Sequence, residues 1–557
     1  MQGHLLAGAV VISALLVQPA AAAAVPKDFV AAADKLVASA WPADGPGAAV
    51  IVTEKGKVVY ARGRGLADIH AKRPITPDTV FRIGSIAKQF SAAALLQLVA
   101  DGKVSLDDPL SKFLPDYPQP GASATVRQLL NHSSGIASYT SIPGWMVEAN
   151  TDKAYTTAQM IDLFKALPPP SKPGEAWTYN NSGYVLVGAI IEKVTGKPWH
   201  QAVAERLAAP LKLSTLRNGV GEEPVLGMAK GYTIKEGGGF ELAPKIHMSV
   251  PHAAGGLIGT VRDLATWARA LHHGRVLTPQ MYEAMITPAK LKDGSEHPYG
   301  FGLQLEELRG MKTRGHGGGI FGFATASIYI PEKDVFVAVF SNVVPSITPP
   351  DIVASKLGAL AAGDPFLEFD KQPVDAKALE PFFGVYRIAG DGGERTFFAQ
   401  DGKLFTRRDG PPMEVFGAGS NRFFYENDLA WFELKQGPSG AVMEMHQPTG
   451  KQAEIATRTG PVPAAPTAVE VPREILSRFV GTYLVGGPTA IVTLAEQGLS
   501  VKLGGQPTFR LIARSQTEFE VEGVGAKVTF NSEGGAPAKS MTINQNGRVI
   551  EALRVKE

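Results

Sequence analysis

The chain has 557 residues, of which 44% are apolar and 19% are charged. This balance is typical of globular proteins and excludes a disordered or fibrous chain. The formal net charge is +2 with both signs interspersed, which argues against a nucleic-acid-binding surface. There is no cysteine, so disulfides, a lipid-anchored cysteine and a thiol nucleophile are excluded.

The start of the chain is apolar. Residues 5–17 form an apolar run, and the small residues 20–24 follow it, which predicts a signal peptide over residues 1–24 and a periplasmic or secreted protein. Because no Lys or Arg precedes the run, a buried or membrane-anchoring helix is the alternative. No other stretch is apolar enough to span a bilayer, so we expect no stable membrane insertion of the mature protein.

The next 340 or so residues have a strand, helix, strand order. Residues 48–62 predict a hairpin around Glu54-Lys55-Gly56. Helical patterns cover residues 86–101, 184–195 and 261–271, and two strands follow at 326–330 and 335–340. This order predicts an α/β (α+β) domain over residues 25–365, in which helices flank an antiparallel sheet made from both ends of the domain.

From about residue 366 the long helical patterns give way to short alternating runs. The motif of Leu379, Phe382, Gly384 and Tyr386 recurs 97 residues later, as Leu476, Phe479, Gly481 and Tyr483. A Pro/Ala-rich linker separates the two copies. We therefore predict two small antiparallel all-β barrels, over residues 371–460 and 473–557.

Ser85 and Lys88 begin the first predicted helix. Their three-residue spacing places the hydroxyl and the amine on one helical face. A partly desolvated lysine can take the proton of a serine and so activate it as a nucleophile. A capping serine with a solvated lysine is the alternative interpretation of the pair.

Two further elements could complete such a site. Tyr179 and Asn181 lie at the entrance of the helix predicted from Tyr184, where a phenol could move a proton and an amide could hold a substrate carbonyl. Residues 315–319, Gly-His-Gly-Gly-Gly, precede a predicted strand. A backbone N–H of Gly318 or Gly319, together with that of Ser85, could form an oxyanion hole. A packed helix cap and a flexible turn with an exposed His316 are the alternatives.

In this order, the three elements resemble the serine β-lactamase and penicillin-binding-protein superfamily, in its class C β-lactamase-like branch. The resemblance covers about residues 27–360 and includes residues 81–84, 129–135 and 254–257. It implies that Ser85 is acylated, Lys88 activates it, Tyr179 is the acid/base group and Asn181 contacts the substrate amide. His316 occupies the third motif. In this family the segment around His132 is a structural turn.

The third motif departs from the Lys-Thr-Gly that penicillin-binding proteins and true β-lactamases usually carry. A histidine is mostly neutral at pH 7 to 8, so the capture of a substrate carboxylate should weaken. His-x-Gly occurs in relatives that are D-aminopeptidases, D-amino-acid amidases and carboxylesterases, and a D-aminopeptidase of this type has two C-terminal lipocalin-like barrels. We expect a D-aminopeptidase-like amide or ester hydrolase, with a carboxylesterase, a D,D-peptidase or a weak β-lactamase as alternatives.

The expected substrate is a small molecule or short peptide, and the mechanism needs no cofactor. His252, His272 and His273 lack partners at metal-binding spacing, so we expect no metal. A different class of interpretation is a catalytically inactive, penicillin-binding-protein-like binder, since a fold alone does not imply activity. The oligomeric state does not follow from the sequence.

Overall fold

The computed structural model describes residues 25–555, with short gaps at 143, 220–226, 236, 347, 409–411, 439, 451, 464–467, 486–488, 504–507, 523–525, 533 and 546–547. The predicted signal peptide, residues 1–24, lies outside the described residues. Across the described ranges, no helix is long and apolar enough to cross a membrane.

The centre of the first part of the chain is a six-stranded antiparallel sheet. Its strands are β1 (Ala48–Glu54), β2 (Lys57–Arg64), β3 (Gln304–Leu308), β4 (Met311–Ile320), β5 (Phe323–Ile330) and β6 (Val335–Ser341). They lie side by side in the order β3-β4-β5-β6-β1-β2. β1 pairs along its whole length with β6, from Ala48 opposite Ser341 to Glu54 opposite Val335. The prediction of a sheet built from both ends of the domain is therefore confirmed.

Helices cover both faces of this sheet. The main ones are α1 (Phe29–Ala40), α2 (Ala87–Ala100), α3 (Asn181–Thr195), α4 (His252–Gly255), α5 (Val261–His272) and α6 (Pro350–Ala361). Residues of α1 and α6 pack with Val50 and Val52 on one face, whereas those of α2, α3 and α5 pack with Ala49 and Ile51 on the other. Successive β1 side chains alternate between the two cores, which explains why β1 reads as a continuous apolar run.

The chain also contains shorter helices and strands, most of which connect the elements named above. The short helices are Val126–Leu130, Glu148–Thr151, Thr157–Asp162, Trp199–Val203, Ala209–Leu211, Pro279–Met285 and Arg473–Ser477. The short strands are Leu66–Asp68, Arg73–Pro74, Phe81–Arg82, Arg217–Asn218, Tyr232–Ile234, Phe240–Leu242, Leu257–Gly259, Ala289–Lys290 and Glu296–His297.

Two closed eight-stranded antiparallel barrels follow, as predicted. The strands of the first barrel are Gly384–Ile388, Glu394–Gln400, Lys403–Arg407, Met413–Gly417, Arg422–Phe424, Trp431–Gly437, Gly440–His446 and Glu454–Gly460. Those of the second are Gly481–Leu484, Thr489–Ala495, Gly498–Leu503, Thr508–Ala513, Glu518–Val521, Lys527–Asn531, Ser540–Gln545 and Arg548–Arg554. Each barrel has its own core of buried apolar side chains.

The repeated motif makes the same contact in both barrels. The Tyr386 hydroxyl donates to the Phe382 carbonyl at 2.5 Å, and the Tyr483 hydroxyl donates to the Phe479 carbonyl at 2.8 Å. Both tyrosines are fully buried. The equal spacing in the two copies therefore reflects one hydrogen bond, which joins the first strand of each barrel to the turn before it.

The first barrel contacts the central sheet through the β3–β4 hairpin. The Arg309 and Gly310 N–H groups at the hairpin turn donate to the carbonyl oxygens of Pro448 and Thr449, at 2.9 and 2.6 Å. The Arg309 side chain also forms an ion pair with Asp364 at 2.8 Å. Two backbone hydrogen bonds therefore join the barrel to the strand that carries the third motif.

Candidate active site

Ser85 lies in a single 3₁₀ turn, Gly84–Ile86, which continues into α2. Gly84 has a φ of +52°, and a Cβ atom there would lie 3.0 Å from the Gly319 nitrogen of β4. Glycine is needed at this position because the turn requires positive φ and a close approach of the strand. The turn therefore holds Ser85 beside β4.

Lys88 lies one turn further along, with its side chain completely buried. Its Nζ contacts the Ser85 Oγ at 3.0 Å, the Asn181 Oδ1 at 2.8 Å and the Ala254 carbonyl at 2.9 Å. None of these three partners is a carboxylate, so burial lowers the pKa of Lys88 well below its usual range. The sequence prediction that the serine and the lysine are in contact is thus matched by the geometry.

Tyr179 immediately precedes the cap of α3 and lies beside Ser85. Burial raises the pKa of the Tyr179 phenol, and the interaction with the Ser85 side chain offsets part of this rise. The Lys88 Nζ lies 4.8 Å from the centroid of the Tyr179 ring. The tyrosine, the serine and the lysine therefore form one cluster.

Asn181 is helical, whereas the sequence patterns predicted that α3 begins at Tyr184. The helix begins three residues earlier because Asn180 caps it, with its Oδ1 accepting from the Gly183 N–H at 3.1 Å. Asn181 is consequently the first helical residue. Its Nδ2 donates to the Thr140 Oγ1 at 3.3 Å while its Oδ1 accepts from Lys88.

His132 packs against the segment that carries Tyr179 and Asn180. It is buried with a φ of +65°, its ring lies 4.5 Å from that of Tyr179, and its Nδ1 accepts from the Asn180 N–H at 3.1 Å. Burial lowers the pKa of His132 well below its usual value. These contacts fit the structural turn that the family resemblance implied.

The glycine-rich third motif lies within β4, whereas we predicted it just before a strand. Residues 314–320 pair with 323–329 of β5. The Gly317 N–H points away from β5, since it donates to the Gln304 Oε1 at 3.1 Å. Because backbone groups alternate along a strand, the Gly319 N–H points to the same free edge and the Gly318 N–H points to β5.

Close packing explains the glycine at position 318. A Cβ atom there would lie 2.2 Å from the Thr325 Oγ1 and 2.3 Å from the Ile83 carbonyl oxygen, whereas a Cβ at Gly319 meets no heavy atom within 4 Å. Of the two glycines suggested for the oxyanion hole, only Gly319 lines the cleft at Ser85.

His316 is buried, although the sequence left open an exposed position in a flexible turn. Its Nε2 contacts the Tyr299 hydroxyl at 2.9 Å, and its Nδ1 contacts the Gly317 carbonyl. Burial and the nearby Lys88 lower the pKa of His316 to about 3. Since the carbonyl can only accept, Nδ1 carries the proton and Nε2 accepts from the tyrosine. Both ring nitrogens are therefore occupied within the protein.

Two residues that the sequence analysis did not name contribute to the site: Thr140 through its hydroxyl and Tyr299 through its contact with His316. Ala254, which contributes its carbonyl, lies in the 254–257 segment of the family resemblance, but no role was predicted for it. Tyr299 lies in a Pro-Tyr-Gly-Phe-Gly segment, whose alternating aromatic and glycine residues were the available signal, whereas Thr140 lies in a segment without a distinctive pattern. Among the residues that the structure describes, no group of three or more His, Cys, Asp or Glu could hold a metal ion.

A family model described as beta-lactamase matches residues 33–360, more than half of the chain. The chain belongs to the beta-lactamase family. This confirms the family that the three motifs indicated. The match ends before the first barrel, so the family assignment rests on the part that contains the sheet and the Ser85 cluster.

Named beta-lactamase-family relatives include a D-aminopeptidase of Brucella canis, 28% identical over 343 residues, which are 61% of this chain and 64% of the relative. The chain thus matches somewhat less than two thirds of that relative's length. A penicillin-binding protein of Bacillus subtilis is 25% identical over 435 residues, covering 74% of this chain and 94% of the relative.

Solved structures give a consistent comparison. An octameric penicillin-binding protein homologue from Pyrococcus abyssi has a TM-score of 0.55 and 26% identity, and the alignment covers 77% of this chain and 99% of that one. A D-amino acid amidase from Ochrobactrum anthropi SV3, complexed with L-phenylalanine, has a TM-score of 0.53 and 29% identity over 60% of this chain and 98% of that one.

Proposed function

We propose that this chain is a serine hydrolase that cleaves amide or ester bonds through an acyl-enzyme on Ser85. The observation that carries the proposal is the 3.0 Å contact between the Ser85 Oγ and the Lys88 Nζ, with the lysine buried and without an acidic partner among its contacts. The named D-aminopeptidase and D-amino acid amidase relatives favour amide substrates.

The surroundings of Lys88 favour it over Tyr179 as the base that activates Ser85. A neutral amine has two hydrogens and one lone pair. The Asn181 Oδ1 and the Ala254 carbonyl can only accept, so they take both hydrogens and leave the lone pair to the Ser85 hydroxyl. Burial lowers the pKa of Lys88 and raises that of Tyr179, which favours the amine over the phenol as the group that gives up its proton first and then acts as the base.

The reaction then follows in two halves. As the Ser85 Oγ attacks the substrate carbonyl carbon, its proton passes to Lys88, and the N–H groups of Ser85 and Gly319 stabilise the oxyanion. The carbon to leaving-group bond breaks, and the leaving group receives a proton from the Tyr179 hydroxyl, which Lys88 replenishes. A water molecule then attacks the acyl carbon while Lys88 or Tyr179 takes its proton, the bond from this carbon to the Ser85 Oγ breaks, and the same proton passes to the Ser85 Oγ as the acid product leaves.

In this proposal His316 has a supporting role. Its ring nitrogens are engaged by Tyr299 and by the Gly317 carbonyl, so it holds β4 in place and offers no charge to a substrate carboxylate. This favours substrates without a carboxylate at the position that a lysine of the third motif would bind. Efficient cephalosporin hydrolysis is accordingly not expected.

We also propose export of the protein after removal of residues 1–24, with a hydrolase domain at 25–365 and barrel domains at 371–460 and 473–557. The sheet and both barrels lie within these limits. The leader can be tested by determining the N-terminal residue of the protein recovered from its host.

The test of function compares the mature chain with Ser85→Ala and with Ser39→Ala, a control at an exposed serine. Substrates are D- and L-alanine p-nitroanilide, p-nitrophenyl butyrate and nitrocefin. At pH 9, where the substrate amine is mostly uncharged, we expect turnover of the D-anilide that Ser85→Ala abolishes and Ser39→Ala retains. Turnover of the ester alone would indicate a carboxylesterase. Absence of turnover and of fluorophosphonate labelling would support an inactive binder and refute the proposal.

A further inference from the structure

The cleft beside Ser85 has an apolar wall. Its volume is about 300 Å³, and the apolar side chains of Met146, Ile246, Ile320, Phe321 and Val344 line it together with the serine turn. These residues come from four separate segments of the chain. A cavity of about 150 Å³ admits benzene, so the cleft has room for a phenyl-sized group and its connection to the reacting carbonyl.

None of the described residues that line the same cleft has a charged side chain. The polar residues that line it, within the described part of the chain, are Ser85, Tyr139, Thr140 and Asn181, all of them neutral. Beyond Phe321 lies a second cavity with one carboxylate among its described lining residues, Glu148, alongside Arg82, Lys230 and Lys245. The Glu148 Oε2 already accepts from the Lys245 N–H at 3.1 Å.

We propose that the cleft binds an acyl group that carries a bulky apolar substituent and no formal charge next to the reacting carbonyl. This inference rests on the proposed function and specifies its substrate class. The substrates are accordingly acyl groups without an α-nitrogen, or with that nitrogen in an uncharged form.

The physical reason is that an apolar substituent and an α-ammonium group differ in the free energy of transfer from water to this cleft. An apolar substituent gains free energy when it leaves water for a wall of Met, Ile, Phe and Val side chains. An α-ammonium group would lose hydration at the same place, and no described residue that lines the cleft offers it a carboxylate. The cations Arg82, Lys230 and Lys245 of the neighbouring cavity add no attraction for it.

The experiment uses the full mature chain and two p-nitroanilides of equal size. One is D-phenylalanine p-nitroanilide, and the other is its analogue without the amino group, 3-phenylpropionyl p-nitroanilide. An α-amino group of this kind has a pKa near 8. We divide kcat/KM for the des-amino substrate by kcat/KM for the amino substrate. We expect this ratio to exceed 10 at pH 6 and to fall by a factor of more than 10 between pH 6 and pH 9. The ratio cancels the ionisation of the enzyme's own groups.

Matched variants test the wall itself. Met146→Glu places a carboxylate in the cleft, and Met146→Gln is its neutral control of the same shape. We expect Met146→Glu to raise kcat/KM for the amino substrate at pH 6 at least fivefold over Met146→Gln, with the des-amino substrate unchanged or slower. Glu148→Gln should leave the wild-type ratio intact, since its carboxylate has no part in the proposal.

A ratio near one that does not vary with pH would overturn the inference, and so would a Glu148→Gln variant that loses turnover of the amino substrate alone. In either case Ser85-dependent turnover would persist, and the proposed function would stand. Loss of turnover of both substrates in the wild-type chain would instead count against the proposed function.

Discussion

The Lys88 Nζ on α2 lies 2.8 Å from the Asn181 Oδ1 on α3. This contact joins the first two motifs, which are 93 residues apart in the chain. The amide oxygen accepts a hydrogen from the amine and carries no charge, so it orients the lysine and stabilises its protonated form less than a carboxylate would. The contact therefore fits a lysine that works as a base.

Asn181→Asp should convert this neutral contact into an ion pair. A carboxylate at the same distance stabilises the ammonium form and raises the pKa of Lys88. We expect kcat/KM at pH 7 to fall more than tenfold and the acid limb of its pH profile to move to higher pH, with activity partly recovered at pH 9 to 10. An unshifted limb in the pH profile would contradict the role of Lys88 as the base. Asn181→Leu, which adds no charge, should lose activity without that shift.

Gly318→Ala and Gly319→Ala should differ sharply. The added methyl group at position 318 would meet Thr325 and Ile83 at 2.2 and 2.3 Å, while position 319 is open. We expect Gly318→Ala to lower the free energy of unfolding by about 1–3 kcal/mol through overpacking, and Gly319→Ala to change it by less than about 0.5 kcal/mol. Urea unfolding of both variants measures this. Equal effects would mean that β4 relaxes away from the Ser85 turn.

Acid should not create a carboxylate-binding site at the third motif. An ordinary histidine becomes protonated between pH 8 and pH 5, but the pKa of His316 is lowered to about 3, so it remains neutral throughout that range. We expect the ratio of nitrocefin to p-nitrophenyl butyrate turnover to stay constant from pH 8 to pH 5. His316→Asn, which cannot titrate, should give an equally flat ratio. A rise confined to the wild-type protein would show that His316 gains a proton.

Tyr386→Phe and Tyr483→Phe should each destabilise one barrel. Each substitution removes one buried hydroxyl that binds a backbone carbonyl and leaves the ring in place. We expect a loss of about 1–2 kcal/mol in the free energy of unfolding of the affected barrel, with kcat/KM unchanged. Calorimetric unfolding of the full chain measures the stability of the barrels, and a steady-state assay measures kcat/KM. An effect on turnover in either variant would indicate that the barrels are coupled to the cleft.

Sequence patterns predicted the parts of the site that depend on local spacing. Ser85 and Lys88 are in contact because they are three positions apart at the start of a helix, and the β-rich runs of the repeat form two barrels. The start of α3 was missed because the cap signal of Asn180 precedes the apolar pattern that begins at Tyr184. Here a single side-chain to backbone hydrogen bond outweighed the periodicity.

The environment of His316 depends on tertiary contacts, which no local sequence pattern predicts. Tyr299 lies 17 residues away in the chain, yet its hydroxyl forms a hydrogen bond with the His316 ring. A glycine-rich run suggests a flexible turn, but these glycines form a strand because β4 packs against the Ser85 turn and Thr325. The direction of the pKa shift of His316 follows from this burial.

The hydrogen bonds from Arg309 and Gly310 to the Pro448 and Thr449 carbonyls limit how freely the parts of this chain can be recombined. β4 is anchored to the barrel at one end and supplies Gly319 to the cleft at the other. A chimaera that joins the Ser85 unit to a foreign C-terminal unit would retain this anchorage only if the incoming loop offered two carbonyl oxygens in the same positions. We therefore expect exchange of C-terminal units to succeed first between proteins whose β3–β4 hairpin turns and barrel loops have the same lengths.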